Sequence, residues 1–123
     1  MAITYAVVDR RAVYDRRTLA EWVPQIVDEL VEAARPARVI LFGSVARGDD
    51  APDSDIDLMV VLPSLDYLQR RELAGHLRSR LSTPAPVQLF LTDERECERR
   101  RDVIGSLHYH PLREGRLVYG RPA

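Results

Sequence analysis

Lysine is absent: all 18 basic residues are arginine. Each cation is therefore a planar fork suited to carboxylate or phosphate, rather than a compact point charge. The single cysteine, Cys97, excludes an intrachain disulfide. Its simplest reading is a small buried apolar group in a reducing compartment. No apolar run approaches the ~20 residues that a membrane helix needs. The opening residues, Met1 to Val8, have neither the basic flank nor the cleavage site of a secretory signal. A cytoplasmic protein with no membrane partner is expected. Charge of one sign is lacking too, since 18 basic and 19 acidic residues leave a net charge of −1. No global field draws the chain to nucleic acid, and direct nucleic-acid binding is not expected. Repeats, low-complexity tracts and linkers are also missing. At 123 residues, the chain 1–123 reads as a single domain with one hydrophobic core.

What is present reads as alternating helices and buried strands. The first ten residues suit a short strand without an evident partner. Thr18-Leu19-Ala20-Glu21 has the form of a capping box. After it Leu19, Trp22, Val23, Ile26, Val27, Leu30, Val31 and Ala34 recur at helical spacing. Pro24 predicts a kink or a later start, and Pro36 closes the helix. Arg38 to Phe42 and Ile56 to Leu62 read as buried strands, and Val87 to Leu91 as a third. Ser64 is the expected cap of a helix with Leu73, Ala74, Leu77 and Leu81 on its apolar face. Asp93-Glu94-Arg95-Glu96 opens a charged helix through about Ile104, and Glu114-Gly115 marks a turn before a last strand, Leu117-Val118-Tyr119. The fold class is α/β (α+β), a small mixed sheet covered by helices.

The chemistry concentrates in Gly43-Ser44-Val45-Ala46-Arg47-Gly48 and Ser54-Asp55-Ile56-Asp57. Gly43 ends a strand and lets a ligand approach the backbone. Ser44 adds a hydroxyl beside the free N–H groups of a short helix, an arrangement that favours phosphate. Gly48 can close that helix in the left-handed conformation. Asp55 and Asp57, two apart on a strand, point to one face, roughly 7 Å from each other. Carboxylates so placed repel unless a cation lies between them, and hard oxygen ligands of this kind suit Mg²⁺. Arg47 suits either a phosphate contact or pairing with Asp49, Asp50 or Asp53.

Each half alone is weak evidence, but ten residues separate Ser44 from Asp55. Gly-Ser-x10-Asp-x-Asp arises by chance in about one chain of this length in a thousand. On these residues, on the run through Leu62 and on the tail Leu112 to Tyr119, the chain resembles the minimal nucleotidyltransferases of the polymerase-β-like superfamily. The resemblance covers roughly residues 17–120, leaving 1–16 as an N-terminal extension. It implies a polymerase-β-like nucleotidyltransferase fold that transfers a nucleoside monophosphate from an NTP, expected to be ATP, to a hydroxyl. Gly43 and Ser44 would hold the triphosphate, with Arg47 beside them, and Asp55 and Asp57 would be catalytic and would ligate Mg²⁺. It further implies a protein acceptor, a small helical HEPN-type partner, for which the chain would be the antitoxin; a homo- or hetero-oligomer fits the same picture.

One departure stands out. The family's third carboxylate belongs in the next strand, where Pro86-Val87-Gln88-Leu89 places Gln88, an amide that carries no charge and takes no proton. Asp93 does not replace it, because five residues along a strand reach the opposite face. Two functions follow: an adenylyltransferase, or a catalytically weakened nucleotide-binding protein that neutralises a partner by contact. An RNA-binding module ranks last, without interleaved aromatics or positive net charge. His108-Tyr109-His110 lacks a third metal ligand nearby. Arg99-Arg100-Arg101 reads as a solvated helix face among acids.

Overall fold

The computed structural model describes residues 4–121. Met1, Ala2 and Ile3 of the expected extension, with Pro122 and Ala123, lie outside the described residues. The chain opens with a three-stranded antiparallel meander, β1 (Tyr5–Val8), β2 (Arg11–Tyr14) and β3 (Arg17–Thr18). The single partnerless strand expected here is thus two hairpins. Both turns read Asp-Arg, and Asp9, Arg10, Asp15 and Arg16 all have positive φ, as two-residue hairpin turns demand. Val8-Asp9-Arg10-Arg11 and Tyr14-Asp15-Arg16-Arg17 are a short internal repeat that the composition conceals, since neither turn uses Gly or Asn.

Helix α1 (Leu19–Ala34) follows immediately, with the capping box at Thr18 and Glu21 complete. Pro24 neither delays its start nor interrupts it. The bond Pro24 forgoes would end on the carbonyl of Ala20, and both residues are exposed, so water can satisfy that carbonyl. Leu19, Trp22, Val23, Ile26, Val27 and Leu30 are buried, and Arg35 ends the helix in the left-handed conformation.

The main sheet has the order β6-β5-β4-β7. Strand β4 (Arg38–Phe42) runs antiparallel to β5 (Ile56–Leu62) and to β7 (Arg116–Gly120), and β5 runs parallel to β6 (Val87–Asp93). One face presents Val39, Leu41, Ile56, Leu58, Val60 and Leu91 to α1 and to Leu77 of α3 (Arg70–Ser79). The other presents Ile40, Met59 and Val61 to Cys97 of α4 (Glu94–Arg100) and Leu112 of α5 (Tyr109–Glu114). Burying such a side chain contributes about 1.5–3 kcal/mol, so the first and larger cluster anchors the domain.

Three expectations change. The cap before α3 is Asp66, which accepts from the Leu68 N–H ahead of a short 3₁₀ turn, Tyr67–Gln69; Ser64 caps nothing. Leu81 lies beyond α3 but still packs on the core. Helix α4 begins as expected, with the Asp93 carboxylate accepting from the Glu96 N–H, but stops at Arg100 rather than near Ile104. Glu96 is spent on Arg99 and Arg100, and Ser106 Oγ bonds the Arg100 carbonyl and turns the chain away. Helix α5 is unexpected. No helix of the described residues is long and apolar enough to cross a membrane.

Candidate active site

The site forms where β4 ends and β5 begins, on the face away from α1. Phe42 of β4 passes directly into α2 (Gly43–Arg47), with Gly48 in the left-handed conformation at its end, φ 79°. Both features match the residue-level expectation for Gly43 and Gly48. The loop to β5 folds on Ser54, whose hydroxyl accepts from the Ala51 N–H at 2.8 Å. It delivers Asp55 just ahead of β5 and Asp57 within it.

Gly43 makes room for a neighbour rather than only for a ligand. Its φ is 76°, and a Cβ built there would run into the carboxylate of Asp57. Asp57 faces Phe42 across the β4–β5 ladder and Gln88 across the β5–β6 ladder, so all three share one face. Half-buried and close to Asp55, Asp57 has its pKa raised above the usual carboxylate value, first by desolvation and then by repulsion from Asp55, with Arg47 opposing. A divalent cation between the two aspartates would relieve that repulsion, and their hard carboxylate oxygens are donors that fit Mg²⁺. Among the described residues no third His, Cys, Asp or Glu joins them as a metal-holding cluster.

Two cavities meet at Phe42. One, of about 360 Å³, is lined by Gly43, Ala46 and Arg47 with His110 and Glu114 of α5. The other, of about 440 Å³, is lined by Gln88 and Phe90 with Arg70 and Arg71 of α3. Arg47 is exposed and pairs with Asp49 at 3.3 Å, a contact too solvated to hold it firmly.

Other sequence candidates fall elsewhere. Asp93 sits at the far end of β6, capping α4 and accepting from the Leu65 N–H. His108 is buried, with Nε2 2.7 Å from Thr92 Oγ1 and Nδ1 without a partner among the described residues. Burial lowers its pKa. His110 is exposed, so the two histidines do not form a common site. Cys97 is buried, and desolvation pushes its thiol up to about 11. Arg99, Arg100 and Arg101 pair with Glu96 and Glu98, a solvated face as read.

The residues missed by sequence reasoning lie in the meander and α5. Arg11 bonds the carbonyl of Gly48 and sits 3.9 Å from the buried carboxylate of Asp50. The Trp22 indole donates to the Tyr14 carbonyl at 2.9 Å, and Arg17 stacks on Trp22. The meander is thereby clipped to the loop between the two halves of the motif, and Asp55 is close enough to help raise the Tyr14 pKa, after burial and Tyr5.

A Gly-Ser turn beside paired aspartates at a strand's start is an arrangement suited to a nucleotide's phosphates and their cation. The chain matches the nucleotidyltransferase domain family over residues 21–110, and it belongs to that family. It is 33% identical over 85 residues to a Methanocaldococcus jannaschii protein whose protein adenylyltransferase activity is inferred, covering 69% of this chain and 80% of that one. The crystal structure of an inferred nucleotidyltransferase from Sulfolobus solfataricus superposes with a TM-score of 0.60 at 22% identity, covering 84% of this chain and 81% of that one. A toxin–antitoxin crystal structure with AMP-PNP aligns with a TM-score of 0.49 at 26% identity over 79% of this chain and 73% of that one. The fold is the polymerase-β-like nucleotidyltransferase fold.

Proposed function

We propose that the chain binds a magnesium complex of an NTP, expected to be ATP, and transfers the nucleoside monophosphate to a hydroxyl on a partner protein. The observation that carries this reading is the position of Asp57, between a cavity that holds Gly43 and Arg47 and one that holds Gln88. The first suits a triphosphate: the Gly43–Ser44 backbone and the Ser44 hydroxyl donate to it, and Arg47 exchanges Asp49 for phosphate. The second suits the acceptor. Asp55 and Asp57 would hold the cation, which when bound neutralises charge on the phosphate oxygens. In the transfer the acceptor oxygen forms a bond to the α-phosphorus as the bond to the bridging oxygen of pyrophosphate breaks. Pyrophosphate leaves with the bonding electrons, and the acceptor proton passes to solvent or a base. Positioning and electrostatics are most of the protein's contribution to such a step.

The 33% identity to a protein named for protein adenylyltransferase activity supports the choice of acceptor. A small helical HEPN-type protein is the expected partner, with this chain as its antitoxin in the cytoplasm. One observation favours a second reading, in which nucleotide binding survives but turnover is weak: the residue facing Asp57 on β6 is the neutral, exposed Gln88.

The test labels ATP at the α- or the γ-phosphate and follows label onto protein in an extract of the native cell. Retention of α-label alone supports transfer. Retention of γ-label would make the chain a kinase. Tight Mg-ATP binding with no label retained favours the second reading.

A further inference from the structure

Just beyond Gln88 the sheet ends. Strand β6 pairs with β5 on one side, and among the described residues no backbone hydrogen bond reaches Val87–Leu91 from the other. The cavity of about 440 Å³ runs along this free edge. Its lining includes Gln88 and Phe90 from one face of the strand and Leu89 and Leu91 from the other, so it follows the strand's edge rather than covering a single face. Arg70 and Arg71, both exposed, stand on its α3 side, and Leu107 closes the opposite side. Neither arginine has a carboxylate within salt-bridge distance among the described residues, and Glu96, which lines a neighbouring cavity together with Arg70, is engaged by Arg99 and Arg100. Beyond Leu107, which is 69% exposed, Ile104 and Val103 extend the apolar surface.

We propose that an extended, acidic segment of a partner protein docks on the free edge of β6, pairing its backbone with Gln88–Leu91 and its carboxylates with Arg70 and Arg71. The inference rests on the transferase reading for its purpose: this edge leads directly to Gln88 and Asp57, so the docked segment brings a side-chain hydroxyl to the α-phosphate. An unpaired edge supplies main-chain hydrogen bonds to any strand, and flanking side chains set which strand is accepted. Two unpaired arginines beside the edge repel the same edge of a second copy and attract acids. The apolar walls of Phe90 and Leu107 suit a peptide better than a nucleic-acid backbone, which needs a continuous basic band.

The experiment uses the full chain and three probes of equal length: a blocked peptide alternating Glu with Val, its Lys-Val counterpart, and a single-stranded oligonucleotide. Anisotropy measures binding, and amide chemical shifts locate it. The Glu-Val peptide is expected to bind and to shift the amides of Gln88–Leu91. Backbone N-methylation of the peptide should abolish this. R70E/R71E should weaken binding roughly tenfold or more, as charge reversal at two interface positions implies, while Mg-ATP affinity stays the same. Equal binding of the Lys-Val peptide, tighter binding of the oligonucleotide, indifference to N-methylation, or self-association through the same amides would each overturn the proposal. Should the double variant misfold, the N-methylated peptide on the natural protein decides alone. If the peptide docks but Mg-ATP does not bind, the transferase reading fails while the docking edge stands; if ATP binds and the peptide does not, only the edge fails.

Discussion

Gly43 and Asp57 compete for one volume: the Asp57 carboxylate occupies the space where a side chain at Gly43 would begin. Gly43 also has φ 76°, a conformation that costs an ordinary L-residue about 1–2 kcal/mol. Gly43→Ala therefore meets two penalties, and the second, displacement of Asp57, also disturbs the site. We expect a loss of more than 1 kcal/mol in urea unfolding and a loss of Mg-ATP binding. The two penalties separate in a double-mutant cycle. With Asp57→Ala in the background the collision is gone, so Gly43→Ala should cost only its backbone strain. Additive losses in the cycle would mean that the two residues do not share this space.

The pH dependence of stability follows from Asp57. Burial and Asp55 raise its pKa in the folded protein above the usual carboxylate value. The folded state thus holds the proton more tightly than the unfolded state does. That contribution to stability is complete below the ordinary carboxylate pKa and is lost as pH rises through the raised folded value. Asp57→Asn, which cannot ionise, should melt above the natural protein at neutral pH without divalent cations, and the gap should close toward pH 4. Adding Mg²⁺ at neutral pH should raise the melting temperature of the natural protein more than that of Asp57→Asn. A variant less stable than the natural protein at every pH would show Asp57 to be structural.

How much of this was legible follows from how local each signal is. Gly43-Ser44 and Asp55-x-Asp57 each lie within one turn or strand, so chain order alone places them. The pairing of Asp57 with Gln88 is long-range, and only the sheet register puts the two residues side by side. The meander was illegible because its turns place Asp and Arg, not Gly or Asn, at positive φ. Helix α5 was illegible because His110 and Pro111 give it little intrinsic preference; it forms by packing Leu112 under the sheet. The cavity walls at Arg70, Arg71, His110 and Glu114 come from separate elements, and no periodicity brings such residues together.

The meander supplies a stability test. Arg11 is the cation nearest the Asp50 carboxylate, whose side chain is only 4% exposed, and it also holds the Gly48 carbonyl. Arg11→Ala leaves a buried carboxylate without its partner, which costs about 1–3 kcal/mol. In an Asp50→Asn background the same substitution should cost clearly less, since only the carbonyl contact remains. Chemical denaturation of the four proteins measures the difference. If Arg11→Ala is neutral, the meander is not fastened to the loop that carries the motif.

Gln88 decides between the two functional readings. In a transfer of this kind a carboxylate on β6, beside Asp57, can help to hold the cation that faces the attacking hydroxyl, and it can accept the proton. An amide does neither well, whereas Asp55, Asp57 and the phosphates suffice to bind Mg-ATP. The natural protein should therefore bind Mg-ATP and transfer slowly. Gln88→Asp should leave nucleotide affinity nearly unchanged, because Gln88 faces the cavity on the side away from Gly43 and Arg47. It should raise the single-turnover rate of label transfer to a cognate partner at saturating ATP. General-base assistance is typically worth a factor of about 10²–10⁴, so even partial recovery is measurable. The rate in Gln88→Asp should also rise with pH as the introduced carboxylate ionises, while the natural protein shows no such limb. A natural protein that is already fast and is slowed by Gln88→Asp would place the missing group elsewhere, on the partner that brings the hydroxyl.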